Sequence, residues 1–350
     1  MGDVMRSEGL LAALLLCFAA PAAAQAAPSK FWEVTDGRLD FRLAKLSAPR
    51  WAAGVEYYEA TEFSHRGEGV DNAIKYRSAD QKILATLYVY LPSLAHTGVH
   101  AIATDQAIRG NTRSPSLKPL GAGVASAAGK GDVAVTADYE HYLGDNYTKA
   151  ALIQAGPWMV KVRVTGPEGR SGAVNAVMTT LLGGLRFEGQ AQPRAAAPIA
   201  PRKCASPDGP EAKVVEGSTE SLALARSAAP AGSRVGKDWC QTFVQAGNQK
   251  IVVLKATGAG PGPNNSSPES ALLVVYSDSG GTLEVVKLPK VGKFLVLDHG
   301  IAEMSVLETF DGSPNLAQIG RWFAHSPEVR ARVKIKPDGS TQVEIPKASN

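Results

Sequence analysis

His96 and His100 stand four residues apart, the spacing at which one helical face can offer two imidazoles to a metal ion. Thr97, however, reads as the N-cap of the helix that follows, so His96 falls outside helical register, and no third ligand accompanies the pair. Two exposed polar histidines are the plainer reading, and no metal is expected. Asp298-His299, with one of the many serines, has the residue types of nucleophilic catalysis. Neighbours on a strand point to opposite faces, so the two meet only if the turn at Gly300 brings them round, and turn chemistry is the simpler account. Gly123 to Gly131 (GVASAAGKG) approaches a phosphate-binding loop but places Gly131 where that loop needs Ser or Thr for magnesium. It reads as a flexible surface loop.

One charged pattern goes beyond composition. Arg330, Arg332, Lys334 and Lys336 alternate with Ala331, Val333 and Ile335. On a strand this sets four cations on one face, roughly 7 Å apart. A solvated face, or an edge strand guarded by charge, is the plainer reading. The functional reading is an anion-binding row for the phosphorylated core of outer-membrane lipid or a carboxylate-bearing wall polymer. The sequence contains no His-Glu-x-x-His, Gly-x-Ser-x-Gly, Walker A or Rossmann fingerprint. No catalytic residue and no cofactor is therefore assigned. Asn146-Tyr147-Thr148 and Asn265-Ser266-Ser267 match the glycosylation sequon, which is idle in most bacteria.

The elements that would position these residues begin after an export signal. Leu10 to Ala20 is uninterrupted apolar and leads through Pro21 into Ala22-Ala23-Ala24-Gln25-Ala26, the form of a secretory leader with its cleavage site, expected to occupy residues 1–26. Its apolar run is about 11 residues, short of the roughly 20 needed to span a bilayer. Leu16 precedes Cys17 where lipid attachment wants a small residue, so lipidation is not expected. With the leader go Arg6, Asp3 and Glu8: Lys plus Arg falls from 37 to 36, Asp plus Glu from 33 to 31, and the net charge of +4 becomes +5. That is too mild for a nucleic-acid partner. Cys204 and Cys240 remain, and in an oxidising compartment they are expected to form one disulfide within the second half of the chain.

The Pro/Ala-rich stretch 189–203 (GQAQPRAAAPIAPRK) reads as a semi-extended linker between modules at 27–188 and 204–350. In the first, strands are expected at 72–78, 82–91, 132–140 and 158–165, with a helix over 98–109 capped by Thr97. A second helix over 171–182 has Val174, Val177, Met178, Leu181 and Leu182 on one face. The pattern predicts an α+β module, an antiparallel sheet with two packed helices. The second module reads as mainly antiparallel β, with strands at 250–257, 271–278, 282–288, 293–298 and 303–310, a helix over 314–325 and a closing hairpin.

The block Gly156-Pro157-Trp158-Met159-Val160-Lys161-Val162-Arg163-Val164-Thr165, followed by the terminal amphipathic helix and Leu185-Arg186-Phe187, resembles exported bacterial proteins. In outline, residues 30–188 are similar to the PsbP/Mog1-like α-β-α sandwich. The resemblance implies a binding or assembly accessory protein and carries over no catalytic residue. The expectation is a soluble periplasmic accessory or binding protein of the cell envelope, with an envelope protein or anionic envelope polymer as partner. An envelope hydrolase with a dispersed active site is the alternative.

Overall fold

In the computed structural model the described residues are 30–35, 37–64, 67–111, 117–189, 191–205, 209–216, 235, 238–246, 249–257, 269–288, 292–324 and 328–345. The expected leader and the sequon at Asn265 lie outside them. Strands dominate: 22 are described, against three α-helices and one 3-10 turn. The chain is mainly β, which corrects the α+β expectation.

The amino-terminal strands β1 (Trp32–Val34), β2 (Arg38–Phe41) and β3 (Leu46–Pro49) form a small sheet, closed by β12 (Arg186–Phe187). An eight-stranded sheet follows, made of β4 (Trp51–Ala52), β5 (Val55–Glu62), β6 (Asp71–Ser78), β7 (Leu84–Tyr90), β8 (Lys118–Ala127), β9 (Lys130–Tyr142), β10 (Asn146–Ala155) and β11 (Trp158–Pro167). Its order is β4-β5-β6-β7-β11-β10-β9-β8, antiparallel throughout.

Two of these strands explain why strand content was underestimated. β8 contains most of the Gly/Ala-rich stretch expected to be a loop. It is an edge strand joined to β9 by Ala128-Gly129, both at positive φ (52° and 73°), the geometry that matches strand twist in a tight hairpin. β10 is rich in alanine because helices press on both its faces. Helix α1 (Thr97–Asn111) packs Ile108 with Tyr139 and Ala150, while α2 (Ser171–Gly184) shares a core with Ala151 and Ile153. Successive residues of a strand face opposite ways, so α1 and α2 lie on opposite sides of the sheet. The five apolar residues expected on one face of α2 are all buried.

The second unit is a ten-stranded sheet: β13 (Arg202–Lys203), β15 (Trp239–Ala246), β16 (Gln249–Ala256), β17 (Glu269–Val275), β18 (Thr282–Leu288), β19 (Lys293–His299), β20 (Glu303–Phe310), β21 (Ala331–Ile335) and β22 (Thr341–Glu344), with β14 (Val214–Val215) on β20. Helix α3 (Leu316–Ala324) packs Ile319 and Trp322 into its core. It opens on a capping box: Asn315 Oδ1 accepts from the Gln318 N–H at 3.0 Å, and Gln318 Oε1 accepts from the Asn315 N–H at 3.1 Å. Cys204 and Cys240 form the expected disulfide, Cα–Cα 4.8 Å, where β13 runs parallel to β15.

The Pro/Ala stretch between the units is extended and laid against the first. Its Arg194 and Ala196 N–H groups donate to the Gln154 and Asp132 carbonyls, and Ala197 N–H donates to Thr97 Oγ1 at 2.9 Å. Gly98 is required beneath it, since a Cβ there would lie 2.4 Å from the Ala197 carbonyl oxygen. The units share an apolar cluster in which Leu94, Val99 and Ala103 meet Trp239, Val252, Leu254, Leu273 and Val275, and Ile335 of the second joins the main core of the first.

Candidate functional site

The chemically capable side chains converge where the two units meet. The backbone sets the junction: Ser93 N–H donates to the Gly300 carbonyl at 3.0 Å, and Ala302 N–H donates to the Leu91 carbonyl at 2.7 Å. Helix α1 leaves this point with the two histidines, and neither is exposed as expected: His96 is 7 % and His100 1 % accessible. His96, as predicted, is out of helical register. It takes the cap position itself, its Nδ1 accepting the Val99 N–H at 3.4 Å, while Thr97 serves the interunit strap. His100 Nε2 lies 2.9 Å from the Leu94 carbonyl oxygen, so that nitrogen carries the proton, and Nδ1 accepts from the Tyr90 hydroxyl at 2.9 Å. Burial holds both imidazoles down at about 4, neutral at ordinary pH. No group of three or more metal-ligating side chains occurs among the described residues.

Asp298 and His299 separate onto opposite faces of β19, as the strand period requires. Asp298 Oδ1 accepts from the Tyr276 hydroxyl at 2.6 Å. His299 turns inward to a different carboxylate: its Nε2 lies 2.9 Å from Glu284 Oε2, and its Nδ1 lies 2.9 Å from Ser93 Oγ. The Ser270 hydroxyl donates to the other Glu284 oxygen. Serine, histidine and glutamate thus stand in a chain with the residue types of a hydrolase. Ser93 is 1 % accessible and the other two 0 %, so no acyl substrate can reach the hydroxyl. What this arrangement can do is join the units, since Ser93 belongs to the first and His299, Glu284 and Ser270 to the second.

Lys161 is the second buried centre. It projects from β11, and its Nζ lies 2.9 Å from Asp278 Oδ2, 3.3 Å from the Asp278 carbonyl oxygen and 4.6 Å from the centre of the Tyr88 ring. Thr104 of α1 donates to the other Asp278 oxygen at 3.0 Å. Asp71, across the sheet from Tyr90, is raised to about 6 by burial, against a smaller opposing pull from Lys161. The Asp278 turn ends at Gly280, at φ +93°, where a Cβ would lie 2.3 Å from the His100 ring. Glycine is needed there twice over, for the left-handed backbone and for the close approach.

Beside this sealed junction a cleft of about 820 Å³ opens between α1 and the second sheet. Asp105 and Arg109 line it from α1, and Phe243, Lys250, Tyr276 and Asp278 from the other unit. Asp105 holds Arg109 Nε at 2.7 Å and accepts from the Tyr139 hydroxyl at 2.7 Å. Phe243 is 41 % exposed, with Lys250 Nζ 4.1 Å above its ring. Both charge signs and two aromatic rings face one opening.

The basic row is extended, with Ala331, Val333 and Ile335 buried and Arg332 and Lys334 facing outward. Its strand is internal, paired to β20 and β22, and carboxylates stand beside it: Glu303 lies 3.7 Å from Arg332 and Glu344 2.7 Å from Lys334. Arg330 precedes the strand and Lys336 follows it, at the turn that Lys336 N–H closes onto the Ser340 carbonyl. Sequence reasoning missed Ser93, Lys161, Asp278 and Glu284. The available signal was a charge flanked by apolar residues, Glu284 within LEVV and Lys161 within WMVKV.

No family model and no curated protein matches this chain. Among solved structures, the solution structure of cyanobacterial PsbP (CyanoP) from Synechocystis sp. PCC 6803 is similar over 41 % of this chain and 94 % of its own, at 15 % identity and a TM-score of 0.29, a likeness too slight to assign a function. No helix among the described residues is long and apolar enough to cross a membrane.

Proposed function

We propose that this protein is a soluble, non-catalytic accessory or binding protein of the periplasm, and that the cleft between its units holds a segment of an envelope partner. One observation carries the reading. The groups with catalytic chemistry are sealed in hydrogen bonds that join the units, whereas the open cleft beside them offers Phe243, Tyr276 and charges of both signs. Clefts between units are a common place for ligands, and exposed aromatics with a polar rim suit a polypeptide. The leader-like segment and the Cys204–Cys240 bond support an oxidising compartment. A division into units at 27–188 and 204–350, the first with PsbP/Mog1-like layering, belongs to the same reading, supported by α1 and α2 on opposite sheet faces. The basic row at Arg330, Arg332, Lys334 and Lys336 would add a contact to anionic envelope polymer.

The test is the pair Phe243→Ala and Lys250→Glu in a crosslinking pull-down from periplasm. Loss of one stoichiometric partner in both variants, with folding unchanged, supports the reading. Undiminished capture sinks it. The hydrolase alternative would need an opening of the junction that brings substrate to Ser93, which is buried here. Ser93→Ala separates the two readings, because only a hydrolase loses activity on envelope extracts when that hydroxyl goes.

A further inference from the structure

At the end of β6 away from Asp71, about 20 Å along the strand, the eight-stranded sheet ends in a corner with two large aromatic side chains standing half in water. Trp51 is 50 % exposed and Tyr58 41 %. Each is held in place by an arginine, with the Arg50 guanidinium 4.9 Å from the Trp51 ring centre and Arg77 4.6 Å from that of Tyr58. Ring orientation is therefore set before any ligand arrives, which lowers the entropic cost of binding. Tyr58 points outward because of a bulge: Tyr57 opposes Tyr76 and Glu59 opposes Lys75, so Tyr58 is the extra residue. Bulges of this kind re-aim a side chain. Trp51 pairs across the strands with Glu56, and Glu56 with Arg77, which makes one row of aromatic, carboxylate and guanidinium. Trp51, Glu56, Tyr58 and Arg77, with Tyr57 and Gln81, line a hollow of about 560 Å³.

We propose that this corner binds a neutral, β-linked pyranose chain. Flat aromatic faces match the apolar C–H face that an all-equatorial sugar ring presents. The planar ends of Glu56, Arg77 and Gln81 match pairs of neighbouring hydroxyls, each able to make two parallel hydrogen bonds. Glu56 stands between Arg77 and Arg50, the latter 3.6 Å away, so the corner carries one net positive charge, too little to select a polyanion. Trp51 and Tyr58 lie about 8 Å apart by strand geometry, within reach of adjacent rings of one chain. This site is separate from the interunit cleft and does not depend on what that cleft holds.

The experiment is calorimetric titration of the full mature chain with a β-1,4-linked N-acetylglucosamine tetramer and a β-1,4-linked glucose tetramer, a sulfated oligosaccharide serving as the charged control. At least one neutral tetramer is expected to bind and to shift the Trp51 indole N–H resonance, assigned through Trp51→Phe. Trp51→Ala and Tyr58→Ala should each weaken it by about tenfold or more. Arg77→Gln, which spares both rings, should weaken it less, and Phe243→Ala in the cleft should leave it unchanged. Failure of both neutral tetramers to bind at about 10 mM overturns the proposal, that being too weak for a built site. So does binding of the sulfated chain alone, or wild-type affinity in either alanine variant.

Discussion

Replacing His299 by leucine tests whether the buried chain across the junction holds the two units together. In the wild type, Glu284 receives His299 and Ser270 on its two oxygens, and Ser93 has the other imidazole nitrogen. Leucine fills the space but leaves a fully buried carboxyl without its imidazole partner and a buried serine hydroxyl short of one bond. Breaking a buried carboxylate pair by deleting one partner costs about 3–5 kcal/mol, and leaving a neutral buried acceptor unmatched costs about 1–3. About 3 kcal/mol is where the two ranges meet. For one body of roughly 320 residues each kcal/mol moves the midpoint by about 1.5 °C, so His299→Leu should melt about 4–5 °C lower by calorimetry. Glu284→Gln keeps a side chain able to bond both neighbours and should cost nearer 1 kcal/mol. Adding Glu284→Leu to His299→Leu should cost less than the sum of the single changes, by at least about 1 kcal/mol, because the second change removes the stranded carboxyl. A fall of under about 2 °C in the single variant, or strict additivity in the double, refutes the reasoning.

Further outcomes follow from the same structure. Asp71 binds its proton more tightly in the folded chain (about 6) than unfolded (near 4), so stability should decline as pH rises between those values; Asp71→Asn should flatten that decline and melt higher at pH 7, as urea unfolding across pH can check. The Cys204–Cys240 bond closes a span of 36 residues, and Cys204→Ser with Cys240→Ser should lose about 3–4 kcal/mol in the chain-entropy model, measured by urea unfolding. Arg332→Glu with Lys334→Glu places like charges beside Glu303 and Glu344 and should cost about 1 kcal/mol, while abolishing any salt-sensitive binding to anionic envelope polymer in sedimentation assays.

The fold was legible where periodicity was strong. The apolar face of α2, the β17 to β20 strands and the disulfide needed nothing beyond residue spacing and compartment. It was illegible where pairing overrode propensity. β8 is glycine- and alanine-rich and becomes a strand only because β9 offers an edge and the Ala128-Gly129 turn sets the register. β10 carries alanines because two helices need close approach on its faces. The junction was the least legible part: Ser93 and His299 are 206 residues apart in sequence, and no local spacing announces their bond. His299 drew attention for the wrong partner, since the adjacent Asp298 faces away while Glu284 lies one strand over. His96 and His100 showed the converse, a metal-like spacing used up by a helix cap and a tyrosine.

The central claim is that a sealed junction fixes two units as one body whose open cleft holds a partner. The direct measurement places a photo-activatable amino acid at Phe243, with a control at Val124, which is comparably exposed on the edge strand β8. Irradiated in intact periplasm, the Phe243 position should give one stoichiometric adduct and the Val124 position none. Equal labelling at both positions, or no adduct at Phe243, contradicts the account.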